Sequence, residues 1–460
     1  MNLKNKSIVV IGLGKSGFAA AKFLHGLGAK VRATDSSEKK EVLENADFLK
    51  SLGLTVETGR HTAPFMKGAD LMVTSPGVSP KSKPLQFAKK AKIPVISEIE
   101  LASYHCRGLQ VAVTGSNGKT TTSHLIYRIF QEFKPKSVLC GNVGFSFLDA
   151  IPSTDNQTLV VIELSSFQLE ESPAFRPKIA VVLNISPNHL DRHGSMKNYI
   201  EAKERIFKNQ TRIDTLVLNY DDSVVRNMAA KARSTVVYFS KHEIPEGIFA
   251  RGAKIIVKKG DCEKVFLDRS RFKLKGDHNL ENILAAVSVA SILKVPSKKA
   301  QKVLDSFETL EHRIEPAGTV NGVHFINDSK STTIESAKAA ILATPRPLIL
   351  IAGGRDKGAP FERIESLLDK QVKYVVLYGE AREKIASSWR NFDRMGLEKD
   401  FRNAVKRAFN RAERGDSILL SPMCTSFDQF SCFEERGEVF KQVIEELRLL
   451  HRNSAGSDPQ

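Results

Sequence analysis

The residues Thr114-Gly115-Ser116-Asn117-Gly118-Lys119-Thr120-Thr121-Thr122 have the types and spacing needed to hold phosphate. Glycines in such a turn let successive backbone N–H groups point at anionic oxygens, and a helix N-terminus adds partial positive charge behind them. Lys119 would reach the β- and γ-phosphates, and the Thr120 hydroxyl would complete a Mg²⁺ shell. The loop is short by the usual spacing, which asks for glycine where Val113 stands. Phosphate binding follows from this segment; the reaction does not.

Other residues could supply that reaction. Glu163 closes the apolar run Leu159-Val160-Val161-Ile162, where a carboxylate is costly without a cation or hydrogen-bond donors. With Thr120 it could hold Mg²⁺, an oxygen-seeking ion; a capping or loop-bonding Glu is the equal alternative. Lys203 stands among Tyr199, Ile206 and Phe207, at i−4, i+3 and i+4 of a helix expected over 197–208. An amine on that face would tend toward its neutral form, whereas a lysine snorkelling outward is the simpler reading. His189, in Asn188-His-Leu-Asp-Arg-His193, is not selected by its chemistry, because imidazole suits softer metals than Mg²⁺.

Two further clusters lie toward the ends of the chain. Gly12-x-Gly14-x-x-Gly17 with Asp35 fits a fingerprint for ribose and diphosphate, which NAD or a UDP-sugar would satisfy equally. Asn327-Asp328-Ser329-Lys330, Gly353-Gly354-Arg355-Asp356-Lys357-Gly358 and Ser421 to Asp428 look like anion-recognition loops, although turn chemistry explains each singly.

The elements that must position these residues form three α/β blocks. Apolar runs at 7–11, 30–34, 70–74, 159–164, 179–184, 215–219, 323–327, 347–352, 374–377 and 417–420 read as strands separated by helical patterns. Many are continuously apolar, as in parallel sheets covered on both faces. The expected fold class is therefore α/β, with three domains of mainly parallel sheet: 1–107, 108–312 and 313–452, followed by a disordered tail at 453–460. Asp35, Ser75, the phosphate loop, Glu163, Asn184, Asp328, Gly353-Gly354 and Ser421 all fall at or just beyond strand C-termini, where open α/β sheets bind ligands.

Composition narrows the partners. A net charge of +17 invites nucleic acid, but the basic residues are interleaved with acidic ones and one tryptophan leaves little for base stacking. No apolar run approaches the roughly 18 residues of a membrane span. The five cysteines form no CxxC pair, which argues against a disulfide framework or zinc cluster and for a reducing cytoplasm. The expected partners are small molecules, with neither nucleic acid nor membrane.

Together the segments resemble the Mur ligases, the ATP-dependent amino-acid-adding enzymes of peptidoglycan synthesis. The resemblance runs from Gly12 to Glu438 and is carried by the phosphate loop, Glu163-Leu-Ser-Ser-Phe-Gln168, Asn188 to His193, Gly276-Asp-His-Asn279, Glu311-His-Arg313 and Asn327-Asp-Ser-Lys330. It implies a Rossmann-like first domain, a P-loop ATPase-like central domain and a Rossmann-like third domain. Gly12 to Gly17, Ser75-Pro-Gly77 and Ser421 to Phe430 favour the activity joining the carboxylate of UDP-N-acetylmuramoyl-L-alanine to the amine of D-glutamate through an acyl phosphate.

The resemblance also implies roles for single residues. Gly115, Ser116, Asn117, Gly118, Lys119, Thr120, Thr121, Asn142, Asn282, His312, Arg313, Asp328 and Lys330 would bind ATP. Gly14, Lys15, Ser16, Gly17, Asp35, Ser36, Ser75, Asn142 and His189 would bind the UDP substrate, and Thr332, Lys357, Ser426 and Phe433 D-glutamate. Lys119, Glu163, His189 and Lys203 would be catalytic. Two Mg²⁺ ions, replaceable by Mn²⁺, would be held by Thr120, Glu163, His189 and Lys203, the lysine as a CO₂-derived carbamate. A monomer is expected. An NAD-dependent oxidoreductase and a non-catalytic nucleotide-binding protein are the rivals from other classes; the first leaves the phosphate loop unexplained.

Overall fold

The computed structural model describes residues 1–455. Three sheets organise it. The first contains β1 (Ser7–Ile11), β2 (Lys30–Asp35), β3 (Thr55–Thr58), β4 (Leu71–Thr74) and β5 (Val95–Ser97) in the order β3-β2-β1-β4-β5, all parallel. The chain reverses its direction of winding at β1, so the turn after β1 opens at a switch point, where α/β sheets bind ligands.

The second sheet comprises β6 (Leu109–Thr114), β7 (Ser137–Gly141), β8 (Leu159–Glu163), β9 (Ile179–Val182), β10 (Thr215–Asn219), β11 (Thr235–Ser240), β12 (Gly247–Arg251), β13 (Lys254–Lys259) and β14 (Cys262–Asp268). Its order is β14-β13-β12-β11-β10-β9-β6-β8-β7. Strand β6, which leads into the phosphate loop, lies between β8 and β9 and is buried on both faces. The sheet is mainly parallel, as expected, with β12, β13 and β14 joined as antiparallel hairpins. Their two-residue connections start with Gly252 and Gly260 at positive φ, the conformation that tight hairpins require.

The third sheet contains β15 (Glu315–Val320), β16 (Val323–Asn327), β17 (Leu348–Gly353), β18 (Tyr374–Tyr378), β19 (Met395–Glu398) and β20 (Ser417–Met423), ordered β15-β16-β20-β17-β18-β19. It is parallel except for the β15–β16 hairpin. The helix Phe433–Ala455 runs three residues into the segment expected to be a disordered tail; residues 456–460 of that tail lie outside the described residues.

The chain divides into two compact units, one of residues 1–185 and 195–307, the other of 186–194 and 308 onward. The first holds two sheets because one apolar core is continuous through both, joining Ile8 and Val10 to Ala112, Val160 and Ile162. On the opposite face of the second sheet, Val111 and Val113 pack with Ile126, Ile283 and Val287 of the helices Lys119–Phe133 and Asp277–Ile292. In the second unit, alternate residues of β17 and β20 point into two cores, one on each face. Burial of this kind, at about 25 cal/mol per Å² of apolar surface, is the main force keeping the strand ends in place.

Candidate active site

The phosphate loop leaves β6 at Thr114 and enters the helix Lys119–Phe133 at Gly118, whose φ of +80° disfavours other residues. A Cβ on Gly118 would lie 2.2 Å from Asn282 Oδ1, so glycine is required by contact as well as by conformation. The loop is held from outside. Asn184, just after β9, accepts from Asn117 N (2.8 Å), donates to Asn117 O (3.2 Å) and accepts from Ser116 N through its own carbonyl (2.9 Å). The Ser116 hydroxyl lies 2.9 Å from Tyr199 OH, and Asn282 Oδ1 accepts from Thr122 (3.2 Å). The sequence gives no site role to Tyr199; it places Thr122 within the loop and Asn184 at a ligand-binding strand end. Asn184 gave one usable signal, its place just beyond a buried strand.

Lys119 folds its ammonium over the loop, donating to Gly115 O and Ser116 O at 2.9 Å each. Thr120 and Thr121 lie in the first helical turn behind it. Glu163, at the end of β8, is buried. Its Oε1 accepts from Asn142 Nδ2 at 2.8 Å, and Asn142 N donates to Glu163 O at 2.9 Å. The capping alternative for Glu163 falls away, because the next helix is capped by a Ser165–Gln168 capping box. Glu163 Oε2 is buried with no hydrogen-bond partner. An ionised oxygen so placed asks for a cation, and the residues therefore fit a hard divalent ion.

Lys203 overturns the snorkelling reading. It is only 1% exposed, in the helix Met196–Glu204. Its Nζ donates to Gly115 O (2.8 Å) and Thr114 Oγ1 (3.3 Å) and sits 4.9 Å from the centre of the Tyr199 ring. Burial, and after it the positive Lys119, hold its pKa well below the usual lysine range, while Glu163 pulls the other way. The reactive neutral amine is thereby favoured. His189 caps the short helix Leu190–His193 at a φ of +54° and groups with the second unit.

The fingerprint turn is built as its spacing implies. A Cβ on Gly17 would come within 1.7 Å of Gly12 O, so helix and strand approach as only glycine permits, whereas the space at Gly14 is open for a ligand. Asp35 Oδ2 accepts from Leu13 N (2.6 Å) and Oδ1 from Ser37 N (2.8 Å), so the acid shapes the turn. Ser75 donates to Gly12 O (3.1 Å), and exposed Lys15 reaches across to Gly144 O (2.7 Å). Ser16 follows in the helix Lys15–Gly26, and Ser36 is exposed beyond β2.

The second unit gathers its own set. His312 and Ile314 both take positive φ (+60° and +47°), uncommon for any side chain and strained for a β-branched one. Arg313 lies half-buried between them, and the kink is tied to the end of β16. Lys330 N donates to His312 O (3.1 Å), and Ile314 N to Asp328 Oδ1 (3.2 Å). Asp328 is buried, takes a hydrogen bond from Ser421 (2.9 Å) and has its pKa raised to about 7, chiefly by burial. The Lys330 ammonium lies 3.7 Å from the centre of the Phe433 ring. The loops carrying Lys357 and Ser426 are stitched together by Arg355 N to Thr425 O (2.9 Å) and Thr425 N to Arg355 O (3.0 Å). Thr332 is half-buried in the turn leading to the helix Ile334–Ala343.

Arg436 was missed altogether. Fully buried, it donates to Ser329 Oγ (2.9 Å), Ser329 O (2.6 Å), Tyr378 OH (3.0 Å) and Cys424 O (3.3 Å). One guanidinium thus fixes the Asp328–Lys330 turn against the β20 loop.

A shortened phosphate loop, a buried carboxylate with a vacant lone pair and a depressed lysine are the equipment of a nucleotide-dependent ligase, which must move a phosphoryl group onto an acid. Comparisons with known proteins agree. Family models match residues 6–97 (Mur ligase MurD-like, N-terminal domain), 113–290 (Mur ligase middle domain) and 312–424 (Mur ligase, glutamate ligase domain). The chain belongs to the Mur ligase family.

It is 41% identical to the UDP-N-acetylmuramoylalanine–D-glutamate ligase of Koribacter versatilis, over 97% of this chain and 99% of that protein. It is 40% identical to the protein of that name from Thermoanaerobacter sp. strain X514, over 97% and 100%. Two solved structures share the fold at lower identity. UDP-N-acetylmuramate-alanine ligase MurC from Thermotoga maritima has a TM-score of 0.60 and 17% identity, covering 96% of this chain and 99% of that one. MurF ligase from the same organism, in complex with ADP, has a TM-score of 0.57 and 18% identity, covering 96% of each. Family membership implies ATP as the nucleotide and Mg²⁺ as the ion. No described helix is long and apolar enough to cross a membrane.

Proposed function

We propose that this chain joins the carboxylate of UDP-N-acetylmuramoyl-L-alanine to the amine of D-glutamate, converting ATP to ADP and phosphate. The observation that carries the reading is 40–41% identity, along nearly the whole chain, to relatives named for that pair of substrates. The site supports it. A substrate carboxylate oxygen attacks the γ-phosphorus and ADP departs, giving an acyl phosphate. The D-glutamate nitrogen attacks the acyl carbon, the carbon–oxygen bond to phosphate breaks, and the nitrogen gives up a proton to form the amide.

The residues divide this work along the chain. Residues 1–107 hold the UDP moiety through Gly14, Lys15, Ser16, Gly17, Asp35, Ser36 and Ser75. In 108–312 the loop amides from Gly115 to Thr121 cradle the phosphates, and Lys119 balances charge on the phosphoryl group in flight. Asn142 and His189 complete the substrate's binding, and Asn282 and His312 that of ATP. In 313–452, Arg313, Asp328 and Lys330 bind ATP, and Thr332, Lys357, Ser426 and Phe433 bind D-glutamate.

Magnesium, when bound, neutralises the phosphate oxygens and the attacking carboxylate. Thr120, Glu163, His189 and Lys203 are its proposed ligands. Lys203 reaches that role by carbamylation: its neutral nitrogen attacks CO₂ and loses a proton, leaving an anionic oxygen donor. Depression of the Lys203 pKa by burial favours this step.

The test is phosphate release with UDP-N-acetylmuramoyl-L-alanine, ATP and a panel of amino acids. Turnover should require D-glutamate. Equal turnover with another amino acid, or with none, would overturn the assignment.

A further inference from the structure

The helix Glu98–His105 is the covalent link from β5 of the first sheet to β6 of the second, and it carries two buried carboxylates that solubility does not call for. Glu100 is 2% exposed and both its oxygens accept from Ala174 N, at 3.0 and 3.2 Å. That arrangement is complete and structural. Glu98 is different. It is 1% exposed, its Oε1 accepts from Leu148 N at 3.1 Å, and its Oε2 is buried with no hydrogen-bond partner. A buried carboxyl held by so few contacts is expensive. Burial pushes it up to about 7 even though the Leu148 and Phe147 amides lower it, and Asp149 adds to the rise.

What Glu98 grips is the end of one loop. Residues 141–146 leave β7 and enter the short helix Phe147–Ala150, whose N-cap is Ser146. Gly141 N donates to Phe145 O at 2.9 Å, which closes the loop on itself. The loop touches the rest of the site at three points: Gly144 O takes the Lys15 ammonium from the fingerprint turn (2.7 Å), Asn142 Nδ2 donates to Glu163 Oε1 (2.8 Å), and Asn142 N donates to Glu163 O (2.9 Å). Asn142 is itself exposed, so packing does not fix its side chain. Its aim at Glu163 depends on both ends of the loop: its own N–H is held by Glu163 O at the near end, and Glu98 is the buried polar anchor at the far end.

We infer that Glu98 is a positioning residue: by holding Leu148 N it sets the 141–146 loop so that Asn142 occupies one oxygen of Glu163 and leaves the other open for the cation. This rests on the reading of Glu163 as a metal ligand. Outer partners that orient a ligating carboxylate typically alter metal affinity or activity by about 10- to 100-fold. A residue one step further out should act at the lower end of that range.

The experiment measures two quantities in the whole enzyme. One is amide hydrogen exchange of residues 141–148 without metal. The other is the affinity for Mn²⁺ with the β,γ-imido analogue of ATP, read by electron paramagnetic resonance. Glu98→Ala should speed exchange at Asn142 and Leu148 about tenfold and weaken Mn²⁺ binding by about tenfold. Glu98→Gln keeps the acceptor and should restore both. In an Asn142→Ala background, Glu98→Ala should weaken Mn²⁺ binding no further. If Glu98→Ala does not fold, Glu98→Met fills the same volume without an acceptor and carries the same expectations. Unchanged exchange, or additive losses in the double variant, overturns the inference. Glu163→Gln is the control for the underlying reading: if it leaves Mn²⁺ affinity at the wild-type level the metal assignment fails, while a loss there with no effect at Glu98 defeats this inference alone.

Discussion

Lys119 and Lys203 share one acceptor: their ammonium nitrogens lie 2.9 and 2.8 Å from the same Gly115 carbonyl oxygen. Two full positive charges so close to one oxygen, one of them buried, repel each other in a medium that screens poorly. Lys119 is half-buried, whereas Lys203 is enclosed. Burial, and after it the neighbouring Lys119, hold the Lys203 pKa well below the usual lysine range.

Lys203→Ala should lower ligation by at least about 10³-fold, the scale on which loss of a preorganised charge-stabilising group acts. Acetate or formate should restore a measurable part of the activity, since either can place an oxygen anion where a carbamate would stand. Lys203→Arg should not respond, because a guanidinium fills the space and remains charged. Phosphate release with and without 100-fold excess formate over enzyme checks this, and full activity of Lys203→Ala would end the modified-lysine reading.

Asn184→Ala removes two side-chain hydrogen bonds to Asn117, at 2.8 and 3.2 Å, but leaves the Asn184 carbonyl bond to Ser116 N. Each such bond is worth about 1 kcal/mol. The loop amides should then spend less time turned toward phosphate. The expected result is an ATP KM raised about tenfold, with little change in KM for D-glutamate. An equal rise in both would mean a general loss of structure.

The contrast between Glu163 and Arg436 explains which parts of the site could be read before the fold was known. Glu163 announces itself because a carboxylate ending an apolar strand violates a local rule, and local violations are visible in a linear chain. Lys203 was visible for the same reason, although its burial had to be seen to reject the snorkelling alternative. Arg436 follows Glu434 and Glu435 and looks like part of a solvated helix face. Its acceptors at 329, 378 and 424 come together only through the third sheet. Glu98 is a similar case, defined by a partner 50 residues away, whereas Asn184 was marked by its place just beyond a buried strand, although its partner lies 67 residues away. The parallel strands were legible from their apolar runs, while β13, flanked by lysines, and the edge strand β14, exposed over its first four residues, carry only short apolar stretches.

The pH dependence of stability follows from Asp328. Its carboxyl holds a proton up to about 7 in the folded chain and to about 4 when unfolded. Between those values the native state binds more protons, so the contribution is fully present below about pH 4 and is lost as pH rises through 7. Asp328→Asn, neutral throughout, should flatten that part of the curve. Thermal midpoints at pH 5 and pH 8 test it: the wild-type midpoint should fall between them by more than the variant's. Identical slopes would show that Asp328 is already ionised at pH 5 through its Arg313 and Ser421 neighbours.

Arg436→Met should be the most damaging change away from the phosphate loop. It strips donors from Ser329 O, Ser329 Oγ, Tyr378 OH and Cys424 O in a site without solvent. Unsatisfied buried groups cost about 1–3 kcal/mol each, less whatever relaxation recovers. A net loss of about 3 kcal/mol is expected, seen as a shift of the urea midpoint for the transition that unfolds 308–455. Arg436→Lys retains the charge but cannot span the Ser329 and Cys424 loops with one planar fork. That variant should fold, with KM for D-glutamate raised about tenfold and KM for the UDP substrate unchanged, because the loops it links lead to Thr332 and Ser426. If Arg436→Lys shows wild-type kinetics, Arg436 serves the core of this unit and leaves the site's geometry to other contacts.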